Sequence, residues 1–207
     1  LILAFSIPLG IFTARHAGGR LDRAMTAVNQ ALMAIPAFVT GILLTYVFGL
    51  VLRWFVPGNY VSPGDNFGGS LWYFLFPAVS IALPRVAMTV KMLRSSILSE
   101  LQKDYVRTSH SRGNSDRATL YRHVLRNAMG PVVSFLAMTV ADIVAGSVVI
   151  EQVFSLPGLG RMLLTSIANR DYPVVQAVVV IVAFWVVLVN LLADLINQRL
   201  DPRLRLT

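Results

Sequence analysis

Two charged side chains inside apolar stretches are the first candidates for chemistry in this sequence. Arg85 and Asp142 both fall within runs that are otherwise hydrophobic. A charge placed at the centre of a membrane costs about 2.5–3.5 kcal/mol on insertion scales, so such residues face a cavity or each other. The alternatives open at this point are a site in a solute path, a structural ion pair, or an Arg85 that extends to the membrane surface.

The usual catalytic and metal-binding patterns are missing from the sequence. It has no G-x-x-x-x-G-K-[ST] phosphate loop, no H-E-x-x-H and no G-x-S-x-G. The three histidines, His16, His110 and His123, lie outside the apolar runs and lack metal-ligand spacing. We therefore expect no catalysis, no metal site and no nucleotide hydrolysis by a phosphate loop in this chain.

A polar island at about residues 95–127 is the largest break in the hydrophobic sequence. A helix is favoured up to Arg112, and Gly113 is well placed as the left-handed residue that closes it. Ser115 can cap a second helix, with Asp116 in its first turn. The basic and apolar residues of that second helix fall on different faces. It is therefore either a helix lying on an anionic membrane surface or a docking element.

The overall composition indicates which elements must position these residues. Of 207 residues, 56% are hydrophobic and 14% are charged, and the mean hydropathy is +0.66. A soluble domain of this size needs far more surface charge, so lipid must solvate most of the exterior. The net charge of +8 comes from basic residues between apolar runs, which argues against nucleic-acid binding. The absence of cysteine excludes disulfides and thiol chemistry.

Five apolar runs are candidates for membrane-spanning helices. Proline and glycine inside them favour a packed bundle, in which neighbouring helices satisfy the backbone. The first run is too short to cross a hydrocarbon core of about 30 Å. We therefore predict that this span has lost its beginning and that the chain is a fragment of a longer protein. The predicted spans cover about residues 1–14, 27–52, 72–93, 131–150 and 174–196.

Lysine and arginine are distributed unevenly between the two sides of these spans. One side comprises residues 15–23, residues 91–126, which include the polar island, and the C-terminal tail, and it holds 14 of the 18 basic residues. The excess of positive charge predicts that the island and the C-terminus are cytoplasmic. Aromatic residues near the opposite loops are typical of an interfacial belt. They are Trp54, Phe55, Trp72, Tyr73 and Phe74.

Several segments of the second half carry a family resemblance. The run DYVRTSHSRG at 104–113 resembles the coupling motif D-Y-V-R-T-A-R-A-K-G of ABC-importer membrane subunits, in the form typical of the dipeptide/oligopeptide/nickel permease family. Ser109 stands where that motif usually has alanine, and residues 110–112 are His-Ser-Arg in place of Arg-Ala-Lys. Further similar segments are RHVLRNA at 122–128 followed by Pro131, EQVFSLPGLG at 151–160, RDYPV at 170–174 and LDPRLR at 200–205.

The resemblance implies an all-α, polytopic transmembrane bundle of the type I importer class, with residues 1–207 forming a single domain. In that family, each of two membrane subunits inserts a short cytoplasmic helix into a groove on an ATPase subunit. Charged residues of the motif would bind the partner, Tyr105 and Val106 would form an apolar anchor, and Gly113 would turn the chain. The implied coupling residues are Asp104, Tyr105, Val106, Arg107, Thr108, Ser109, Arg112 and Gly113.

Two further regions are candidate sites. The charges inside apolar runs lead to the hypothesis that Arg85 lines the translocation path and meets a substrate carboxylate, with Asp142 nearby. The resemblance implies a role for the second region. An outer turn would lie near the gate and dock a soluble binding protein, although a helix end followed by a Pro-Gly turn is the alternative explanation. The residues of that turn are Glu151, Phe154, Pro157, Gly158 and Gly160.

Together these inferences predict a membrane-spanning permease subunit of an ATP-driven importer of small peptides, multi-pass in the cell (inner) membrane. Its expected partners are a second homologous permease subunit, two ATP-binding subunits, an extracytoplasmic substrate-binding protein and membrane lipid, but no nucleic acid. ATP and magnesium would belong to the partner subunits, and this chain would bind no cofactor. The alternatives are an importer of nickel or another small solute, a self-sufficient secondary transporter, and a membrane scaffold.

Overall fold

The computed structural model describes residues 1–200, except for the side chains at 144–146 and 200. Its α-helices are α1 (Ile2–Arg15), α2 (Arg20–Ala34), α3 (Ala37–Leu44), α4 (Phe67–Leu101), α5 (Asp104–Ser111), α6 (Asp116–Thr119), α7 (Leu125–Val153), α8 (Leu159–Ala168) and α9 (Tyr172–Leu200). Wider π-helical turns follow α3 at Thr45–Val51 and precede α7 at Leu120–Val124. Since the described residues form no strand, the predicted all-α class is confirmed.

Three helices in the described part of the chain are long and apolar enough to cross a membrane. They are Phe67–Leu101, Asp116–Ile143 and Tyr172–Arg199, and an 18-residue stretch within each has a mean hydropathy of 1.5, 1.4 and 2.7, respectively. α1 is apolar but has only 14 residues, which span about 21 Å. Of the predicted C-terminal tail at 200–205, all but the first residue lies outside the described residues.

Pro36 divides the apolar region that was predicted as one span at about 27–52. The segments Arg20–Ala34 and Ala37–Val51 are bent by 91° relative to one another. Pro36 has φ −60° and ψ 144°, which is extended backbone. Proline lacks an N–H and disfavours helical geometry in the residue before it, so the helix ends there. The two segments together form a broken span or a re-entrant loop and raise the number of candidate spans to four.

The described residues form two compact units, each built from segments that are far apart in sequence. The first unit contains Leu32–Arg85 and Val140–Val187. The second unit contains Ile2–Ala31, Val86–Thr139 and the residues from Leu188 onward. Each unit has a hydrophobic core of its own.

Aromatic side chains dominate the core of the first unit. The hydroxyl of Tyr73 donates to the carbonyl oxygen of Phe154 at 2.6 Å and accepts from the backbone N–H of Gly58 at 3.1 Å. Phe55 packs in the same cluster. Phe55 and Tyr73 are 7% and 3% exposed, so these two members of the predicted interfacial belt belong instead to the core. The exposed members of that belt are Trp54, Trp72 and Phe74.

The core of the second unit is aliphatic and fixes α5 in place. α4 contributes Leu93 and Ile97, which are completely buried. α5 contributes Val106, and Val124 and Val132 come from the wide turn and from α7. Because these side chains pack together, the position of α5 is tied to the end of α4 and the start of α7.

Candidate functional site

α5 is a short polar helix whose two faces have different surroundings. Asp104, Arg107, Thr108 and Ser111 follow the spacing of a single helical face, and all four are exposed. On the opposite face, Val106 is only 5% exposed and packs in the core of the second unit. α5 therefore presents a row of charged and hydroxyl groups while its other face is anchored to its own chain.

Ser109 lies on the buried face of α5, where hydrogen bonds connect it to the following segment. Its Oγ lies 2.9 Å from Oγ1 of Thr119, and it accepts from Nδ2 of Asn114 at 3.1 Å. Ser109 and Thr119 are both buried. Buried hydroxyl groups need hydrogen-bond partners, and each of these has one. This network explains how the chain accommodates a serine where the motif usually has alanine.

Tyr105 is half-buried and is held by polar contacts within the chain. Its hydroxyl donates to Oε2 of Glu100 at 2.8 Å. Burial, assisted by the neighbouring Glu100, raises the pKa of Tyr105 to about 12, although a hydrogen bond with Asn127 opposes this shift. The phenol therefore remains a protonated donor at neutral pH. Tyr105 and Val106 therefore hold α5 against its own chain, whereas the resemblance implied that they contact a partner.

Gly113 ends α5 in the left-handed conformation that the sequence predicts, with φ +81°. Its N–H donates to the carbonyl oxygen of His110 at 2.9 Å. No atom lies within 4 Å of a Cβ built on Gly113, so the requirement for glycine is conformational rather than steric. The predicted cap of the next helix is also confirmed, because Oγ of Ser115 accepts the N–H of Ala118 at 3.3 Å.

The eight residues implied by the coupling motif thus fall into two groups. The inward group, which holds the helix, contains Tyr105, Val106 and Ser109. The outward group, which is available to a partner, contains Asp104, Arg107, Thr108, Arg112 and Gly113.

A bidentate ion pair that was not anticipated from the sequence lies in the second unit. Nε and Nη2 of Arg94 donate to Oδ1 and Oδ2 of Asp22, both at 2.7 Å. Asp22 is 4% exposed and also accepts the N–H of Gly18 at 2.9 Å. The pair therefore connects the first turn of α2, and through Gly18 the turn before it, to the last part of α4. One signal in the sequence is that Asp22 is an acidic residue within a basic segment.

Arg85 and Asp142 meet in the first unit. Nη1 of Arg85 donates to Oδ2 of Asp142 at 2.9 Å, and their side chains are 23% and 63% exposed. The ion pair considered from the sequence is therefore present. More than half of the Asp142 side chain is nevertheless uncovered by this chain. A carboxylate in that position within apolar helices requires an aqueous cavity or another protein surface.

The carboxylate of Glu151 caps α8. Its Oε2 accepts the backbone N–H of Arg161, in the first turn of α8, at 2.8 Å, and its Oε1 accepts the hydroxyl of Ser147 at 3.2 Å. The cap thus satisfies one of the free N–H groups at a helix start. A Cβ on Gly158 would collide with this carboxylate. The cap made by Glu151 therefore depends on the absence of a side chain at Gly158.

The other residues of the predicted outer turn have separate roles. Phe154 is completely buried, and a Cβ on Gly160 would collide with Val148. Most of the predicted residues of this turn therefore pack against their own chain or hydrogen-bond to it. Among the five, Pro157 is the exposed one.

These features define a polytopic helical membrane protein that has an exposed polar helix and an ion pair within apolar helices. Residues 1–200 contain no group of three histidine, aspartate or glutamate side chains that could hold a metal ion. Residues 6–206 match the family model described as the binding-protein-dependent transport system inner membrane component. The chain belongs to this family of transport permease components.

Individual relatives match almost the whole chain. It is 34% identical over 205 residues to the probable peptide ABC transporter permease protein y4tP of Sinorhizobium fredii, covering 99% of this chain and 66% of that protein. It is 35% identical over 206 residues to the oligopeptide transport system permease protein AppB of Bacillus subtilis, covering 99% and 65%. It is 32% identical over 206 residues to the nickel import system permease protein NikB of Staphylococcus aureus, covering 100% and 59%. The chain therefore spans slightly less than two thirds of these relatives.

Proposed function

We propose that this chain is the membrane-spanning permease subunit of an ATP-driven importer, and that it moves small peptides across the cytoplasmic membrane by alternating access. The observation that carries the proposal is α5, whose outward face is polar and exposed while its inward face is fixed in a core. The proposed partners are a second homologous permease subunit, two ATPase subunits that hold ATP and magnesium, and an extracytoplasmic substrate-binding protein.

α5 has the properties needed to transmit force from an ATPase. Asp104 and Arg107 offer charge-assisted contacts to a partner groove. Val106 packs in the same core as Leu93 and Ile97 of α4, so a displacement of α5 is passed to a membrane-length helix. The excess of basic residues on this side, 14 of 18, supports a cytoplasmic position for α5.

The ion pair of Arg85 and Asp142 is the proposed contact for substrate. Asp142 holds the guanidinium when the path is empty, and the carboxylate of an entering peptide competes for it. The large exposed fraction of the Asp142 side chain, 63%, supports a position beside an aqueous path. On the opposite side of the membrane, the turn around Pro157 is the proposed docking surface for the binding protein.

Purification of the full-length chain with its neighbouring subunits tests the central proposal. An ATPase should co-purify and should hydrolyse ATP faster when a peptide-loaded binding protein is added. Arg107→Ala should reduce the amount of co-purified ATPase, whereas Arg161→Ala, at an exposed position on α8, should not. A chain that catalyses transport without any ATPase would instead be a secondary transporter, and a chain without flux would be a scaffold.

Transport at limiting peptide concentration tests the substrate contact. Arg85→Met should reduce uptake, whereas Arg170→Met, in the exposed turn before α9, should leave uptake unchanged. Equal uptake by wild-type protein and Arg85→Met would remove the substrate role.

Nickel is the second candidate substrate, because the nickel import permease NikB is 32% identical to this chain. The two candidates are separated by adding binding protein loaded either with peptide or with a nickel complex. Peptide-loaded binding protein should stimulate ATP hydrolysis. Stimulation by the nickel-loaded form alone would favour the nickel importer.

A further inference from the structure

The wide turn Leu120–Val124 shapes a basic cleft on the surface of the second unit. The cleft is shallow and open to solvent, has a volume of about 420 Å³ and is lined by Ser115, Arg117, Ala118, Tyr121 and Arg122. In an α-helix, residues five apart point about 140° away from each other. A π-helical turn, with its i to i+5 hydrogen bonds, brings such residues closer to one line. The turn therefore helps Arg117 and Arg122 to line the same cleft.

The charge of this cleft is not neutralised within the described residues. Arg117 and Arg122 are exposed, and neither guanidinium has an acidic partner among residues 1–200. Asp116, the sequence neighbour of Arg117, faces His110 instead, with Oδ1 3.6 Å from Nδ1. Tyr121 is 45% exposed and lines the cleft with an aromatic ring that carries a hydroxyl group. The cleft is thus suited to an anion.

The cleft also lies at the start of a membrane-length helix. Asp116–Ile143 is one of the candidate spans, and its continuous apolar part begins after Asn127. Arg122 precedes Asn127 by five residues, or about 7.5 Å of helix. Each polar headgroup layer is about 5–8 Å thick. Arg122 and Tyr121 therefore stand at headgroup depth when the span is inserted, and Arg117, five residues further from Asn127, lines the same cleft from its aqueous side.

We propose that Arg117, Tyr121 and Arg122 bind the phosphate of an anionic phospholipid headgroup. Guanidinium groups bind phosphate oxygens through paired hydrogen bonds, and tyrosine is enriched at the membrane interface. Continuity with an apolar span favours a lipid over a soluble anion, because the acyl chains of the lipid can lie along that span. Lipid binding at this site requires neither transport nor the ATPase partners.

Lipid binding to the full-length chain, purified in detergent, tests the site. Phosphatidylglycerol should bind more tightly than phosphatidylcholine. Arg117→Gln and Arg122→Gln should each weaken phosphatidylglycerol binding about fivefold, the equivalent of about 1 kcal/mol per basic residue near an anionic surface. The double variant should lose about 25-fold on the same basis, with an unchanged melting temperature. Arg161→Gln and Arg170→Gln serve as matched controls and should bind both lipids as the wild type does.

Three results would overturn the proposal. The first is an unchanged lipid preference in the double variant. The second is full displacement of phosphatidylglycerol by millimolar inorganic phosphate, which identifies a site for free anions. The third is loss of ATPase co-purification in the double variant with unchanged lipid binding, which assigns the cleft to a protein partner.

Discussion

The side-chain oxygens of Ser109 and Thr119 lie 2.9 Å apart and join the end of α5 to the next helical segment. Between them, Gly113 reverses the chain with φ +81°. The side-chain bond and the backbone turn at Gly113 together hold the connection between α5 and α6 in one conformation. It keeps α5 at a fixed angle to the segment that enters the membrane-length helix Asp116–Ile143.

We expect Ser109→Ala to destabilise the protein by about 1 kcal/mol, because the hydroxyl of Thr119 and the amide of Asn114 lose a buried partner. Thr119→Val should have a similar effect. The double variant should be less destabilised than the sum of the two, since both single changes remove the same bond. Thermal unfolding in detergent measures all three, and strictly additive losses would contradict the shared network.

Gly113→Ala should reduce ATPase stimulation by the loaded binding protein, because an alanine with φ near +80° costs about 1–2 kcal/mol. Gly113→Asn should be milder, since asparagine tolerates this conformation. Gly18 is the matched control, because it also has positive φ (+80°) and open space within 4 Å of where a Cβ would stand. Gly18→Ala should lose comparable stability but retain stimulation. Equal loss of stimulation in both variants would mean that strain in general, rather than the position of α5, is responsible.

Asp22→Asn should be strongly destabilising, because it leaves the guanidinium of Arg94 without its charged partner. Breaking a buried ion pair costs about 3–5 kcal/mol, and the partial exposure of Arg94 places this pair at the lower end. Lys103→Met removes the more exposed pair with Glu100 and should cost about 0–1 kcal/mol. Melting temperatures compare the two changes. A small effect of Asp22→Asn would show that solvent replaces the carboxylate.

Gly158→Ala should displace the carboxylate of Glu151 and so remove the cap of α8, at a cost of about 1 kcal/mol. Glu151→Ala should have about the same effect, and the double variant should be no worse than either, because the cap is lost only once. Gly68→Ala, in the first turn of α4 and with only an ordinary contact to Asn66 at 3.7 Å from its Cβ, should be neutral or stabilising. Thermal unfolding tests the set, and a neutral Gly158→Ala would contradict the predicted collision.

The sequence predicts those features that depend on local patterns. Hydrophobic runs identify the membrane-length helices, and the Gly113 turn and the Ser115 cap follow from short-range backbone chemistry. The inward and outward faces of α5 were not predicted, because eight residues of mixed polarity do not reveal which side meets the core. Val106 was expected to face a partner, yet it packs on residues of α4 and α7.

Long-range contacts and the sizes of bends also could not be predicted from the sequence. Asp22 and Arg94 are 72 residues apart, and no local pattern connects them. Pro36 marks an interruption, but the bend of 91° depends on what each half packs against. The pairing of Arg85 with Asp142 was anticipated as one alternative, because charges in apolar helices have few other ways to be stabilised.

The hydrogen bond from Tyr73 to the carbonyl oxygen of Phe154 sets a limit on when the first unit can assemble. Its two partners are separated by 81 residues. At a synthesis rate of about 5–20 residues per second, roughly 4 to 16 s pass between the emergence of one partner and of the other. During that interval the phenol has no native acceptor. The earlier helices of the first unit are therefore made before the acceptor exists, and this contact forms only after translation has passed residue 154.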